Sequence, residues 1–312
     1  MQQHTRHDQR WQASQVDEGH SGRAPLLQHP LLQRLDRAAQ HWVVRHDDTS
    51  MYWRQFGSGS PVVLIHGGHG SWLHWARNIE ALATQHTVWV PDLPGFGESD
   101  SLSVDPHDPE RLDLTVGALL GSVDALLGKN AEFGLAAFSF GAAPACRLAV
   151  RHPGVPALAL FGPGGHGMRH RPRPDLINWR LPDPAARRAA LQHNLRAFML
   201  HDPQQVDDLS TEIHEYSCVR TRFRSKEIST SPWLEPVLEQ FPRPTLLVWG
   251  EHDLTVDPAV AAERLTANAP HRESAIITGA GHWVQFEAAD SVNALLVPWF
   301  KQHLCQQPQA VA

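Results

Sequence analysis

Apolar residues along this chain come in two kinds of run. Short continuous blocks read as strands buried on both faces: Val62-Val63-Leu64-Ile65, Thr87-Val88-Trp89-Val90 and Thr245-Leu246-Leu247-Val248-Trp249. The stretches 155–161 and 273–278 read the same way, as does the apolar first half of the segment 132–143. Helical spacing lies between these blocks, carried over 72–82 by Trp72, Trp75, Ile79 and Leu82, and repeated over 112–127, 141–150, 258–266 and 288–300. Alternation over 41–56, broken by Asp47-Asp48, predicts a hairpin. Strands that alternate with helices imply a mainly parallel sheet with helices on both faces. In such sheets ligands bind beyond the carboxyl ends of the strands.

Two stretches break the rhythm. Residues 1–38 are rich in Gln, His, Arg and Asp and poor in large apolar side chains. They read as a poorly ordered arm with a short helix near 31–39. Residues 163–242 show no clear buried strand, many prolines and arginines, and helical periodicity over 189–200 and 206–220. They read as a helical cap inserted into a core made of 39–162 and 243–312.

Composition narrows the classes. A length of 312 residues suffices for a substantial core. The formal charge of −6 argues against a general nucleic-acid binder. Cys146, Cys218 and Cys305 are odd in number and widely spaced, which suggests neither a disulfide framework nor a zinc pattern and fits a reducing compartment. No apolar run approaches a membrane span and no signal pattern opens the sequence, so a cytoplasmic protein without membrane or nucleic-acid partners is expected. The 21 histidines read mostly as surface positions. Homo-oligomerisation stays open.

The chemistry gathers at strand ends. Ser139 stands in Ala137-Phe138-Ser139-Phe140-Gly141, between a strand and an Ala-rich helix. A serine at so tight a turn needs small residues two positions away on each side, which is the logic of the nucleophile elbow, here with alanine for the usual first glycine. A serine hydroxyl needs a base, and the base needs an acid to fix its tautomer. His282, in Gly279-Ala280-Gly281-His282, and Asp253, in Gly250-Glu251-His252-Asp253, follow later strands in the order Ser, Asp, His. Glu251 and Asp257 are nearby rivals for the acid, and Gly162-Pro163-Gly164-Gly165-His166 offers no carboxylate. The backbone N–H groups of Gly68 and Phe140 are placed to hold an oxyanion. His66, His69 and His74 invite a zinc reading, but they flank a glycine turn without a carboxylate, so His66 is read as part of the oxyanion loop and no metal or organic cofactor is implied.

Taken together, His66-Gly67-Gly68, Asp92-Leu93-Pro94-Gly95-Phe96-Gly97-Glu98-Ser99, the elbow, Gly250-Glu251-His252-Asp253 and Gly281-His282 resemble the α/β-hydrolase superfamily over residues 42–304. The resemblance implies an eight-stranded-type sheet, a triad of Ser139, Asp253 and His282, and an oxyanion hole at Gly68 and Phe140. Gly281-His282-Trp283-Val284-Gln285-Phe286-Glu287 with Ala289-Asp290 is similar to the C-terminal motif of meta-cleavage-product hydrolases, which cleave a carbon–carbon bond in dienoic keto acids. Those enzymes typically have Asn before the nucleophile, where this chain has Phe138, and they bind the substrate carboxylate with a cap arginine, for which Arg220, Arg222 and Arg224 are the candidate counterparts, none placed by motif.

Pocket candidates are therefore Phe138, Trp283, Arg220 and Arg224. The two arginines are four apart and would share a helix face, which suits a carboxylate or a solvated surface equally. Trp179, Phe198, Tyr216, Phe223 and Trp233 either line the pocket or pack the cap. The expected activity is hydrolysis of small esters or related acyl compounds through an acyl-enzyme. The alternatives are carbon–carbon hydrolysis and a non-catalytic ligand-binding role on the same fold. The resemblance also implies that a serine at the elbow argues against the haloalkane dehalogenase and epoxide hydrolase chemistries, whose enzymes on this fold use aspartate there.

Overall fold

The computed structural model describes residues 11–16, 27–47 and 49–304. Nine strands form one sheet: β1 (Gln12–Val16), β2 (Gln40–His46), β3 (Thr49–Phe56), β4 (Ser60–Ile65), β5 (His86–Pro91), β6 (Gly134–Phe138), β7 (Leu158–Phe161), β8 (Thr245–Gly250) and β9 (Arg272–Ile277). Their spatial order is β1-β2-β3-β5-β4-β6-β7-β8-β9. The first three are antiparallel to their neighbours, and β5 through β9 run parallel.

The apolar runs work by period two. Val62, Leu64, Ala136, Ala159, Leu246 and Val248 face one core layer, and Val63, Ile65, Leu135, Leu160, Leu247 and Trp249 face the other. Both layers need covering, and the helices supply it: α1 (Pro30–Ala38), α2 (Ile79–Ala83), α3 (Arg111–Leu127), α4 (Ala142–Arg151), α5 (Pro184–Asn194), α6 (Asp208–Val219), α7 (Lys226–Thr230), α8 (Leu234–Leu238), α9 (Pro258–Thr266), α10 (Val284–Glu287) and α11 (Ala289–Leu304). Residues of α2 and α11 join the first layer, and those of α3, α4 and α9 the second. In α3, Leu112, Val116, Leu119 and Val123 recur at helical spacing and are buried. Asp257 caps α9 through the N–H groups of Ala259 and Val260, with Pro258 opening the helix.

The short helix expected near 31–39 is present, but the poor order expected of the arm over 1–38 is corrected in its described parts. Gln12–Val16 pairs antiparallel with β2, from Gln12 opposite Arg45 to Val16 opposite His41. Trp11 packs so closely on α3 that a Cβ at Gly121 would lie 2.0 Å from its ring. Pro30–Ala38 is a helix with Leu32 and Leu35 buried, and the N–H groups of Gln28 and His29 donate to Glu212 of α6 at 2.6 and 2.8 Å. Residues 1–10 and 17–26 lie outside the described residues. Between β7 and β8 the chain forms α5, a π-helical turn at Leu195–Met199, and α6 to α8. The helix expected over 72–82 is two pieces, a 3-10 turn at Trp72–Trp75 and the short α2.

Candidate functional site

Four loops meet at the carboxyl ends of β4, β6, β8 and β9. Ser139 directly follows β6 with φ of +51°, a left-handed conformation that a non-glycine residue adopts only under constraint. A 3-10 turn at Ser139–Gly141 then leads into α4. Gly141 has no substitute: a Cβ there would lie 2.3 Å from the His66 carbonyl oxygen. Gly67 and Gly68 run alongside, where added Cβ atoms would come within 3.2 Å of the Ser139 Cβ and 3.5 Å of the Phe140 Cβ. The Gly68 backbone therefore runs close to the Phe140 side chain.

Ser139 Oγ lies 3.0 Å from His282 Nε2, and His282 Nδ1 lies 2.9 Å from Asp253 Oδ2. Both His282 and Asp253 are buried. The second carboxylate oxygen of Asp253 accepts from the Thr255 backbone N–H at 2.8 Å and the Thr255 hydroxyl at 2.7 Å. Burial pushes this carboxyl up, but the neighbouring His282 and the bonds from Thr255 outweigh it and hold it below the usual carboxylate range. The rivals for the acid are occupied elsewhere: Glu251 accepts from the Gly279 N–H, and Asp257 caps α9. Gly162, at φ +46°, leaves room for the pair, since a Cβ there would sit 3.0 Å from both Asp253 and His282.

The histidines of the glycine loop serve its shape. His66 Nδ1 donates to the Gly67 carbonyl, and its Nε2 accepts from the Leu93 N–H at 3.0 Å. Burial pushes it down to about 4. His74 Nδ1 accepts from the Gly67 N–H. Seven histidines are buried among the described residues, so the expectation of surface positions does not hold for these.

Ser139 opens into a cavity of about 290 Å³. Phe138, Phe140, Leu176, Phe198 and Met199 give it apolar walls, and His166, His170, Arg173 and Lys226 add polar groups. Through Gly68, His69 and Phe198 it adjoins a second chamber of about 380 Å³ lined by Trp179, His214 and Cys218. Phe138 is thus at the cavity wall, 5.0 Å ring to ring from His282.

Three pocket candidates lie elsewhere. Trp283 is fully buried behind the wall, stacked on Phe286 with its Nε1–H donating to the His74 carbonyl, because its own N–H is tied to the Met199 carbonyl. Arg220 lines a separate cleft and stacks on Tyr216 at 4.2 Å. Arg224 is exposed and lines neither chamber at Ser139. The two arginines do not share a helix face, because α6 ends at Val219 and the Arg222 N–H bonds to the Gly95 carbonyl, drawing the chain away. Of the aromatic residues, Phe198 and Trp179 line the two chambers. Phe223 packs on Phe96 and Phe140, and Trp233 on Gly165.

Glu287 is a positioning residue that the sequence reading left as part of a motif. One of its oxygens accepts from the Gly281 N–H at 2.6 Å, and the other from the N–H groups of His201 and Asp202. It joins the His282 loop to the helical segment over it.

The α/β-hydrolase fold family matches residues 60–289. The chain belongs to this family. As an α/β-fold hydrolase it is 29% identical to a 2-hydroxy-6-oxo-6-phenylhexa-2,4-dienoate hydrolase of Burkholderia cepacia, over 77% of this chain and 87% of that one. It is 30% identical to the dihydrolipoyllysine-residue acetyltransferase component of an acetoin cleaving system from Pseudomonas putida, over 95% of this chain and 75% of that one. Among solved structures, an esterase from Rhodococcus superposes with a TM-score of 0.67 at 20% identity, covering 85% of this chain and 99% of that one. Among the described residues no helix is long and apolar enough to cross a membrane.

Proposed function

We propose that the protein is a serine hydrolase of small esters or related acyl compounds with an apolar portion. The observation that carries this reading is the unbroken chain from Asp253 through His282 to Ser139 Oγ, opening into a cavity with mainly apolar walls. His282 Nε2 takes the proton as Oγ attacks the acyl carbon, and Asp253 stabilises the resulting imidazolium. The N–H groups of Gly68 and Phe140 hold the oxyanion. His282 then returns the proton to the departing alkoxide, leaving an ester on Ser139. A water deprotonated by His282 attacks that ester, and the acid and free serine are released.

Five relatives are named as dienoate or dienedioate hydrolases and one as an acetyltransferase component; none of these names gives a simple ester, so the ester reading rests on the site. Carbon–carbon hydrolysis is the second reading, favoured by the first of these names and by the His282-to-Glu287 motif. Against it, Phe138 is apolar and Arg220 and Arg224 do not line the Ser139 cavity; the cap cations that do line it, Arg173 and Lys226, suit a carboxylate and leave this reading open to test. A panel of esters, lactones and ring-fission dienoates separates the two. Ester turnover lost in Ser139→Ala, with ring-fission products untouched, is the expected result. Failure of a fluorophosphonate to label folded protein at Ser139 would overturn the serine-hydrolase reading.

A further inference from the structure

His166 is used by nothing in the triad, yet it is held with care. Its loop is pinned by four backbone bonds: Gly162 N–H to Val248, Gly164 N–H to Ser139, Gly165 N–H to Ser229, and Leu234 N–H to the Gly165 carbonyl, at 2.7–3.1 Å. The residue is 7% exposed and forms part of the wall of the Ser139 cavity. The Met168 N–H donates to its Nδ1 at 3.0 Å. An amide N–H needs a lone pair to meet, so the proton of the neutral ring sits on Nε2. Among the described residues, Nε2–H has no hydrogen-bond acceptor. Burial, with His170 nearby, pushes this imidazole down to about 4, which keeps it a neutral donor at ordinary pH.

Of the hydroxyls around the cavity, that of Ser225, beside Gly68, has no partner among the described residues, while three others are engaged. Thr255 donates to Asp253, Ser229 to the Ser225 carbonyl, and Thr230 to the carbonyls of Lys226 and Glu227. A fixed donor on the cavity wall without a protein partner forgoes a hydrogen bond unless something in the cavity accepts from it. A substrate oxygen in the cavity can supply the acceptor.

We propose that His166 is a specificity-determining residue: its Nε2–H recognises a hydroxyl or ketone oxygen on the substrate near the acyl centre, so the preferred substrates are oxygenated acyl compounds rather than plain alkyl esters. The proposal rests on the Ser139 cavity being the substrate site. A site built to bond a substrate oxygen discriminates against the analogue lacking it more sharply than an apolar wall discriminates by size.

Equilibrium binding to Ser139→Ala tests it without turnover, using butanoate methyl esters hydroxylated at the α, β or γ carbon against the unsubstituted ester. One hydroxylated ester should bind roughly tenfold more tightly than the unsubstituted one. That ratio should fall to about one in Ser139→Ala/His166→Leu, and Ser139→Ala/His166→Gln, which keeps an N–H donor, should recover part of it. Melting curves establish that each variant is folded, and Ser139→Ala/His166→Phe, which also lacks the donor, serves if the leucine variant is not. A ratio unchanged in the leucine variant, or no preference in Ser139→Ala, overturns the proposal, as does binding of none of the esters. Fluorophosphonate labelling of the unmodified enzyme keeps the two readings apart. Absent labelling with an intact binding preference defeats only the nucleophile assignment, and labelling without a preference defeats only the role of His166.

Discussion

Asp92 and Asp253 are both completely buried, and both follow a sheet strand at its carboxyl end, yet their surroundings bias them in opposite directions. Burial pushes the Asp92 carboxyl up, and Arg54 does not fully offset this because Glu98 and Asp36 share the same guanidinium. Burial also pushes Asp253 up, but His282 and two bonds from Thr255 reverse the effect. Depth alone therefore does not decide the charge of a buried acid; the number and type of its donors do. The consequence is a division of labour. Asp92 accepts from the N–H groups of Trp72 and Glu98 and so fixes the path of the chain after the glycine loop. Asp253 faces a histidine whose other nitrogen meets the serine.

The comparison breaks most sharply under mutation of the Asp253 side. Ser139→Ala should lower ester turnover by at least about 10⁴-fold, and Asp253→Asn by on the order of 10³–10⁴-fold, since the amide no longer stabilises the imidazolium. Melting temperatures should change little for Ser139→Ala. Steady-state rates with the ester panel check both. An Asp253→Asn enzyme within tenfold of the unmodified rate would remove Asp253 from the triad.

On the Asp92 side the expected loss is in stability. Arg54 is 2% exposed and pairs with Asp36 at 3.0 Å and with Glu98. Arg54→Met leaves the carboxylates of Asp36, Asp92 and Glu98 without their cation. It should cost about 3–5 kcal/mol, read from urea unfolding. Activity per folded molecule should fall far less than in Asp253→Asn. If Arg54→Met is as stable as the unmodified protein but inactive, the scaffolding role is wrong.

The elements of this comparison were unequally legible in the sequence. Ser139 could be found because its turn admits only small neighbours, and Asp253 and His282 because they end apolar runs in the expected order. Asp92 belonged to a recognisable motif, but its cation, Arg54, lies on another strand and nothing local marks the pairing. Strand β1 escaped because Gln-Ala-Ser-Gln-Val has no apolar alternation; main-chain pairing with β2 and the packing of Trp11 on Gly121 hold it. Arg220 and Arg224 were misplaced because a tertiary bond, from Arg222 to Gly95, ends the helix before both could lie on it. The role of His166 needs the Met168 N–H, a contact that only the folded loop supplies.

The smallest expected effect tests the donors that set Asp253 apart. Thr255→Val removes the hydroxyl bond at 2.7 Å but leaves the backbone N–H bond at 2.8 Å and nearly the same shape. Turnover should fall about three- to tenfold. The pH dependence of stability should shift as well, and its sign follows from the direction of the Asp253 displacement. A carboxyl held below its unfolded value, about 3.9, contributes stability that is fully present above that value and is lost as pH falls through the folded one. With one donor gone the carboxyl moves back up, so less stability remains to be lost. Urea midpoints of Thr255→Val should therefore be lower than those of the unmodified protein at neutral pH, and the two should converge over the pH range below the unfolded carboxylate value. A constant difference across that window would mean that the hydroxyl stabilises the fold by packing, and that its bond to Asp253 is not what separates this acid from Asp92.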